Sequence, residues 1–281
     1  MTPAWRVESI PFLADHDLKH EELPVVLLVG GFGSRMGADA GELPKHLVEI
    51  GGRPILWHVM KIYAHCGHQN FIFPLGYKGE MFRRYFLEYE SLTHDVSFKI
   101  GNPEERTFLD RADERNWNVR LFDAGLDTAK GARVRKAFER LSAQTFFVTY
   151  GDGVGDVDIN ALLDYHRGHG KLATLTGYRP SSQYGVLDVD DSGQVKRLEE
   201  KPRLAQWINA GFFVFEREAM KYLDGGDEVE LERGMLPALA TDGQLMMYRH
   251  EGYWASMDTF KDAQKLESAW SRGAPWKVWN D

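Results

Sequence analysis

The sequence predicts an α/β protein, a mixed and mostly parallel sheet flanked by helices, joined to a smaller β-rich part. Three observations lead there. Val25 to Val29 is an unbroken aliphatic run without polar alternation, which suits a strand buried on both faces. It opens into a glycine-rich turn, and from Phe71 and again from Asn118 the rhythm of strand, turn and helix returns, as a parallel sheet requires. From Leu172 onward the pattern changes to strands separated by short turns.

The chain begins with an extension, Met1 to Leu23, which has no clear period and mixes Trp5, Val7, Ile10, Phe12 and Leu13 with charges. The extension reads either as a frayed tail or as a docked arm; Trp5, Phe12 and Leu13 would be exposed apolar surface on a free arm, so it is expected to pack on the domain that starts at Pro24 or on a neighbouring protomer. Beyond the glycine turn, Pro54 suits a first helical position and Gly67 a terminator, with Ile55, Val59, Ile62, Tyr63 and Cys66 on one face between them. Phe71 to Leu75 reads as a second buried strand, followed by Gly76-Tyr77-Lys78-Gly79 and a helix over Glu80 to Tyr89. Thr93 to Lys99 reads as a short strand, and the heavily charged Gly101 to Asn116 as an inserted or mobile loop. Asn118 to Phe122 resumes as strand, a helix runs from Gly131 to about Leu141, and Thr145 to Tyr150 is the most hydrophobic later strand. In the β-rich part, strands are expected over Ala173 to Tyr178, Tyr184 to Val189, Gln194 to Glu199 and Ile208 to Phe215. Asp258 or Thr259 makes a good N-cap for a last helix.

Composition narrows the class. With 281 residues, 43% hydrophobic and 27% charged, the chain can bury a large core. A formal charge of −8 argues against a general nucleic-acid or anionic-membrane surface, yet leaves room for a local positive pocket. The single cysteine, Cys66, excludes an internal disulfide framework and a Cys-rich metal site and fits a reducing compartment. No stretch has the apolar length of a membrane span, and the acidic N-terminal residues do not suit a signal peptide, so a cytoplasmic location is expected.

The glycine turn carries the first chemistry. Gly30, Gly31 and Gly33 let main-chain N–H groups approach a ligand closely, and a helix beginning there would point its positive end at an anion. Ser34 adds a hydroxyl, Arg35 a guanidinium fork that matches phosphate oxygens, and Lys45 a point charge. A P-loop is excluded because no Lys-Ser or Lys-Thr pair closes the turn, and the dinucleotide fingerprint fails at Met36. Asp152 stands between Gly151 and Gly153 just past a buried strand, where open α/β sheets bind ligands; a carboxylate turning onto its own backbone reads equally well there.

The run Gly30-Gly31-Phe32-Gly33-Ser34-Arg35-Met36, followed by Pro44-Lys45, is similar to the signature of the sugar-1-phosphate nucleotidyltransferases. VEIGGRPILWHVMKIY, GYKGE, WNVRLFDAG, TYGDGVGDVDI, EEKP, NAGFFVF, MDTFKDAQKLESAW and APWKVW resemble, in order, the glucose-1-phosphate cytidylyltransferase branch, so the resemblance covers Pro24 to the C-terminus. It implies a Rossmann-like nucleotide-diphospho-sugar transferase fold in one domain, residues 24–281, with a nucleotide-binding half over about 24–155 and a sugar-binding half over about 156–281. It implies nucleotide contacts from Gly30, Gly31, Gly33, Ser34, Arg35, Lys45, Gly76, Arg133 and Asp152, and sugar-phosphate contacts from Tyr184, Gly185, Glu200, Lys201 and Asn209. Asp152 and Asp258 would hold Mg2+, and Arg35, Lys45, Asp152 and Asp258 would carry catalysis. A nucleoside triphosphate, CTP first, would be joined to a sugar 1-phosphate, glucose 1-phosphate first, in a homo-oligomer. Leu43, His46, Lys130 and Ala210 depart from the branch pattern and leave dTTP, UTP or another sugar phosphate open. A catalytically idle nucleotide-sugar sensor is the reading from a different class; the presence of Lys45, Asp152 and Asp258 speaks against it.

Overall fold

The aliphatic run forms β1 (Val25–Leu28), whose residues are all buried, with Val25 and Leu27 facing one side of the sheet and Val26 and Leu28 the other. The computed structural model describes residues 22–30, 43–109 and 113–280. Most of the extension, up to residue 21, and Gly31, Gly33, Ser34 and Arg35 of the glycine turn lie outside the described residues. The chain continues through β2 (Glu49–Ile50), β3 (Arg53–Pro54), α1 (Ile55–His65), β4 (Asn70–Leu75), α2 (Gly79–Leu87), α3 (Tyr89–Thr93), β5 (Val96–Lys99) and β6 (Asn102–Phe108). It goes on with β7 (Asn118–Asp123), α4 (Lys130–Phe138), β8 (Thr145–Tyr150), β9 (Gly153–Gly155), α5 (Ile159–His169), β10 (Ala173–Tyr178), β11 (Val186–Val189) and β12 (Val195–Glu199). Last come β13 (Ile208–Asn209), β14 (Phe213–Glu216), α6 (Leu236–Thr241), β15 (Leu245–His250), β16 (Trp254–Ser256) and α7 (Phe260–Trp270).

Eight strands form the central sheet. β7, β4, β1 and β8 lie side by side and parallel; β14 is antiparallel to both β8 and β10, so β10 and its parallel partner β15 run the same way as β1. The sheet is therefore mixed and mostly parallel, as the sequence predicts. One face is covered by α1, α5 and α7, through residues such as Leu56, Met60, Leu162 and Leu266. The other is covered by α4 and α6, through Val134, Ala137, Leu236 and Leu239. Burial on both faces is what permits uninterrupted apolar strands.

Several boundaries move, each for a local reason. Gly101 to Asn116 is not an irregular loop over most of its length: β5 and β6 pair as an antiparallel hairpin, and Asp113–Asn116 is a 3-10 turn. Most described side chains of that hairpin are exposed, so neither face writes an apolar alternation into the sequence. The helix expected over Glu80 to Tyr89 breaks at Glu88 and resumes as α3, which shortens the following strand to Val96–Lys99. The strand expected over Ile208 to Phe215 is interrupted by Gly211 (φ 81°) and Phe212 (φ 45°). Phe212 is buried against Tyr63, ring centroids 5.8 Å apart, and this burial hides the kink from any reading of hydrophobicity. The helix over residues 159–169 was not foreseen; Asp158 caps it by accepting from Ala161 N–H at 2.9 Å.

Candidate active site

The C-terminal edge of the parallel strands opens into a cleft of about 760 Å³, where open α/β sheets bind their ligands. Its most charged corner, where the candidate catalytic residues lie, is built by a detail of topology. β8 ends at Tyr150, the chain turns at Gly151, and β9 then pairs antiparallel with β16, Ser256 opposite Gly153. Met257 N–H donates to Asp152 O at 2.9 Å and extends that ladder, so Asp152 and Asp258 are drawn to one place. Gly151 is required by contact: a Cβ there would lie 2.7 Å from Val29 Cγ1 and 3.0 Å from His46 Cδ2.

Lys45 stands between the two carboxylates. Its ammonium pairs with Asp152 Oδ2 and lies 3.0 Å from Asp258 Oδ1. Burial works against the charge, but Asp152 and Asp258 more than offset it and hold the lysine above its ordinary pKa. The next residue, His46, is buried beneath this corner, and burial lowers it to about 4. α7 is capped by Thr259, which forms a reciprocal capping box with Asp262, so Asp258 is not the cap.

Arg133 forms the opposite wall. Nε donates to Thr128 O, Nη1 to Pro74 O and Leu75 O, and Nη2 to Gly125 O and Leu126 O, all between 2.8 and 3.2 Å. These five bonds use every donor a guanidinium has. The group is clamped between two glycines, since a Cβ at Gly30 would lie 2.5 Å from Nη1 and one at Gly76 2.4 Å from Nη2. Burial lowers the Arg133 pKa. This side chain, for which the resemblance implies a nucleotide contact, lines the cleft and also has a scaffolding role: it fixes the end of β4 and the loop at residues 124–129, whose Leu126, Asp127, Thr128 and Ala129 line the cleft too.

The sequence profile of the nucleotidyl transferases matches residues 24–271. The chain belongs to the nucleotidyl transferase family. It is 41% identical over 260 residues to glucose-1-phosphate cytidylyltransferase of Salmonella typhi, covering 92% of this chain and all of that one. It is 39% identical over 266 residues to the probable glucose-1-phosphate cytidylyltransferase of Bacillus subtilis, with the same coverage. Among solved structures, HddC of Yersinia pseudotuberculosis complexed with GMP-PN superposes with a TM-score of 0.64 at 20% identity, over 88% of this chain and 99% of that one. A UDP-glucose pyrophosphorylase complexed with UDP-glucose gives 0.65 at 13% identity, over 89% and 99%.

Within this nucleotidyl transferase, Gly30, Lys45, Arg133, Asp152, Asn209 and Asp258 line one cleft, and Gly76 backs its wall. Tyr184, Gly185, Glu200 and Lys201 do not line it. They belong to the exposed β11–β12 hairpin and its flanks, with the side chains of Glu200 and Lys201 67% and 63% exposed and 3.7 Å apart. Lys201 has a φ of 51°, a left-handed backbone unusual for lysine.

A polar chain that motif reading missed crosses the cleft floor. Asn209 Nδ2 donates to Tyr150 Oη at 3.3 Å, Tyr150 Oη donates to Glu232 Oε1 at 2.9 Å, and Lys130 pairs with the same oxygen. Burial opposes the Glu232 charge, but Lys130 and Tyr150 hold its pKa below the ordinary value. Glu232 lies in a π-helical turn, Leu231–Met235, within an ordinary charged stretch, and no local signal marks it. Asp156 was also unmarked: it accepts from Tyr253 N–H at 2.6 Å and lies 3.1 Å from His250 Nε2, which fixes the turn entering β16.

Proposed function

We propose that this nucleotidyl transferase joins CTP to glucose 1-phosphate, giving CDP-glucose and pyrophosphate. A phosphate oxygen of the sugar phosphate attacks the α-phosphorus in line; a new P–O bond forms as the bond to the bridging oxygen of the leaving pyrophosphate breaks. Both reactants are anions, and two unit charges ~4 Å apart repel by about 4 kcal/mol at an effective dielectric of ~20. Neutralisation and alignment are therefore the main tasks, and no side-chain nucleophile is needed. The observation that carries the reading is the lysine ammonium held between two carboxylates at the sheet edge.

Those carboxylates suit Mg2+, which takes hard oxygen donors together with substrate phosphates. Among the described residues no group of three or more His, Cys, Asp or Glu could hold a metal, which fits a site completed by the nucleotide. Mg2+, when bound by Asp152 and Asp258, supplies positive charge to the phosphates. Lys45, together with Arg35 of the glycine turn, draws further charge from the triphosphate. Gly30, Gly31, Gly33 and Ser34 offer backbone and hydroxyl groups to it. Lys201 anchors the sugar phosphate, and Glu200, Asn209, Tyr184 and Gly185 receive the sugar, which gives a nucleotide half over about 24–155 and a sugar half over about 156–281. The Leu126 and Thr128 carbonyls held by Arg133 at the cleft support CTP: a carbonyl oxygen can accept a second hydrogen bond, and cytosine presents an amine donor where uracil and thymine present a carbonyl. No helix among the described residues is long and apolar enough to cross a membrane, and a cytoplasmic homo-oligomer is part of the same proposal.

A matrix of CTP, UTP, dTTP, ATP and GTP against several sugar 1-phosphates, read by pyrophosphate release, tests this. CTP with glucose 1-phosphate is expected to give the highest kcat/KM. Comparable values for dTTP would overturn the base assignment, and no release from any pair would favour the sensor.

A further inference from the structure

The position of Lys45 says more than that it is basic. Its ammonium contacts one oxygen of each carboxylate, the place a cation shared by Asp152 and Asp258 would take. It is held there by the chain: Pro44 precedes a single 3-10 turn, Lys45–Leu47, and His46 and Leu47 are buried behind it. The Lys45 side chain is 16% exposed and that of Asp152 15%, so water screens this contact less than it would at the surface. An ammonium and a divalent cation cannot both sit at contact distance from the same two carboxylate oxygens. One must leave.

We propose that Lys45 is a tethered stand-in for the metal. In the resting enzyme it neutralises Asp152 and Asp258, which would otherwise repel each other in a half-buried corner. When a divalent cation takes those carboxylates, Lys45 moves its ammonium off them and onto triphosphate oxygens. Metal and nucleotide loading are then coupled through one side chain, because the displaced ammonium needs the anionic partner that the nucleotide supplies. The inference rests on the proposed metal role of Asp152 and Asp258 and adds that Lys45 competes for them.

Mn2+ serves as the probe, titrated into the full-length protein without nucleotide or sugar phosphate and followed by the electron paramagnetic resonance signal of the free ion. Lys45→Met and Lys45→Gln are expected to bind Mn2+ about tenfold more tightly than the wild type. The double variant Lys45→Met/Asp152→Asn is expected to lose that gain. Thermal melts with and without Mn2+ should show a larger rise in Tm for the two single variants than for the wild type. If one single variant fails to fold, the other is read. Unchanged Mn2+ affinity in the Lys45 variants would overturn the proposal, as would a gain that survives Asp152→Asn, since the ion would then be bound elsewhere. Failure of the stand-in role would leave pyrophosphate release by the wild type untouched, and absence of that release would leave the Mn2+ result standing.

Discussion

The wall around Arg133 and the β11–β12 hairpin both carry residues proposed to meet the substrates, yet they are built in opposite ways. Arg133 is 3% exposed, and its five bonds join two segments of backbone, the end of β4 and the loop at residues 124–129. In β11 and β12 every residue is exposed, and among the described residues the two strands pair only with each other. A side chain of the first kind is part of the fold, so its loss should cost stability and ligand binding together. A side chain of the second kind can change while the core stays as it is. The proposed nucleotide side is thus tied to the architecture, and the proposed sugar side can vary independently of it.

The catalytic corner gives the largest expected effect. Asp152→Asn and Asp258→Asn should each lower kcat at saturating Mg2+ by on the order of 10²–10³-fold, as loss of a preorganised charge at a reaction centre does. Melting curves for both variants should stay near that of the wild type. Near-normal turnover in either would remove that carboxylate from the mechanism.

Arg133→Met sharpens the contrast next. It removes the donor that five carbonyls share, of which Leu75 O keeps a second donor in Ala124 N–H, and we expect a loss of about 3 kcal/mol in unfolding free energy, seen in urea denaturation, together with a raised KM for CTP. If stability held while only KM rose, the scaffolding role would be wrong and a direct contact right. On the hairpin, Lys201→Met should raise KM for glucose 1-phosphate about tenfold, roughly 1.4 kcal/mol, without lowering Tm. A fall in Tm as large as that of Arg133→Met would erase the distinction between the two regions.

The smallest effect is in pH. Burial lowers His46, His58 and His68 to about 4, so the folded protein keeps them neutral where an unfolded chain would bind protons. Their contribution to stability is complete above about 6.5, the ordinary histidine value, and is lost as pH falls from there through about 4, at up to about 1.4 kcal/mol per pH unit for each. His46→Gln should flatten that decline, measured as unfolding free energy against pH. An unchanged slope would show that His46 does not contribute to it.

Much of this could be read from the chain alone, because the physics involved is local. Unbroken apolar runs at Val25, Phe71 and Thr145 are strands buried on both faces whatever surrounds them, and Pro44-Lys45 and Gly151-Asp152-Gly153 mark charged turns whose Lys45, Asp152 and Gly153 line the cleft. Gly30 and Gly76 were visible as glycines, but the reason for them was not: a buried guanidinium from a distant helix fills the space their side chains would take. The β5–β6 hairpin escaped because a strand exposed on both faces carries no period. Glu232 and Asp156 escaped because their roles depend on partners far away in the chain. The meeting of Asp152 with Asp258 was expected only on the strength of the resemblance; what brings them together is the pairing of β9 with β16, a contact between segments far apart in the chain. Local sequence specifies elements and chemical types, whereas long-range pairing and burial decide which of those types touch.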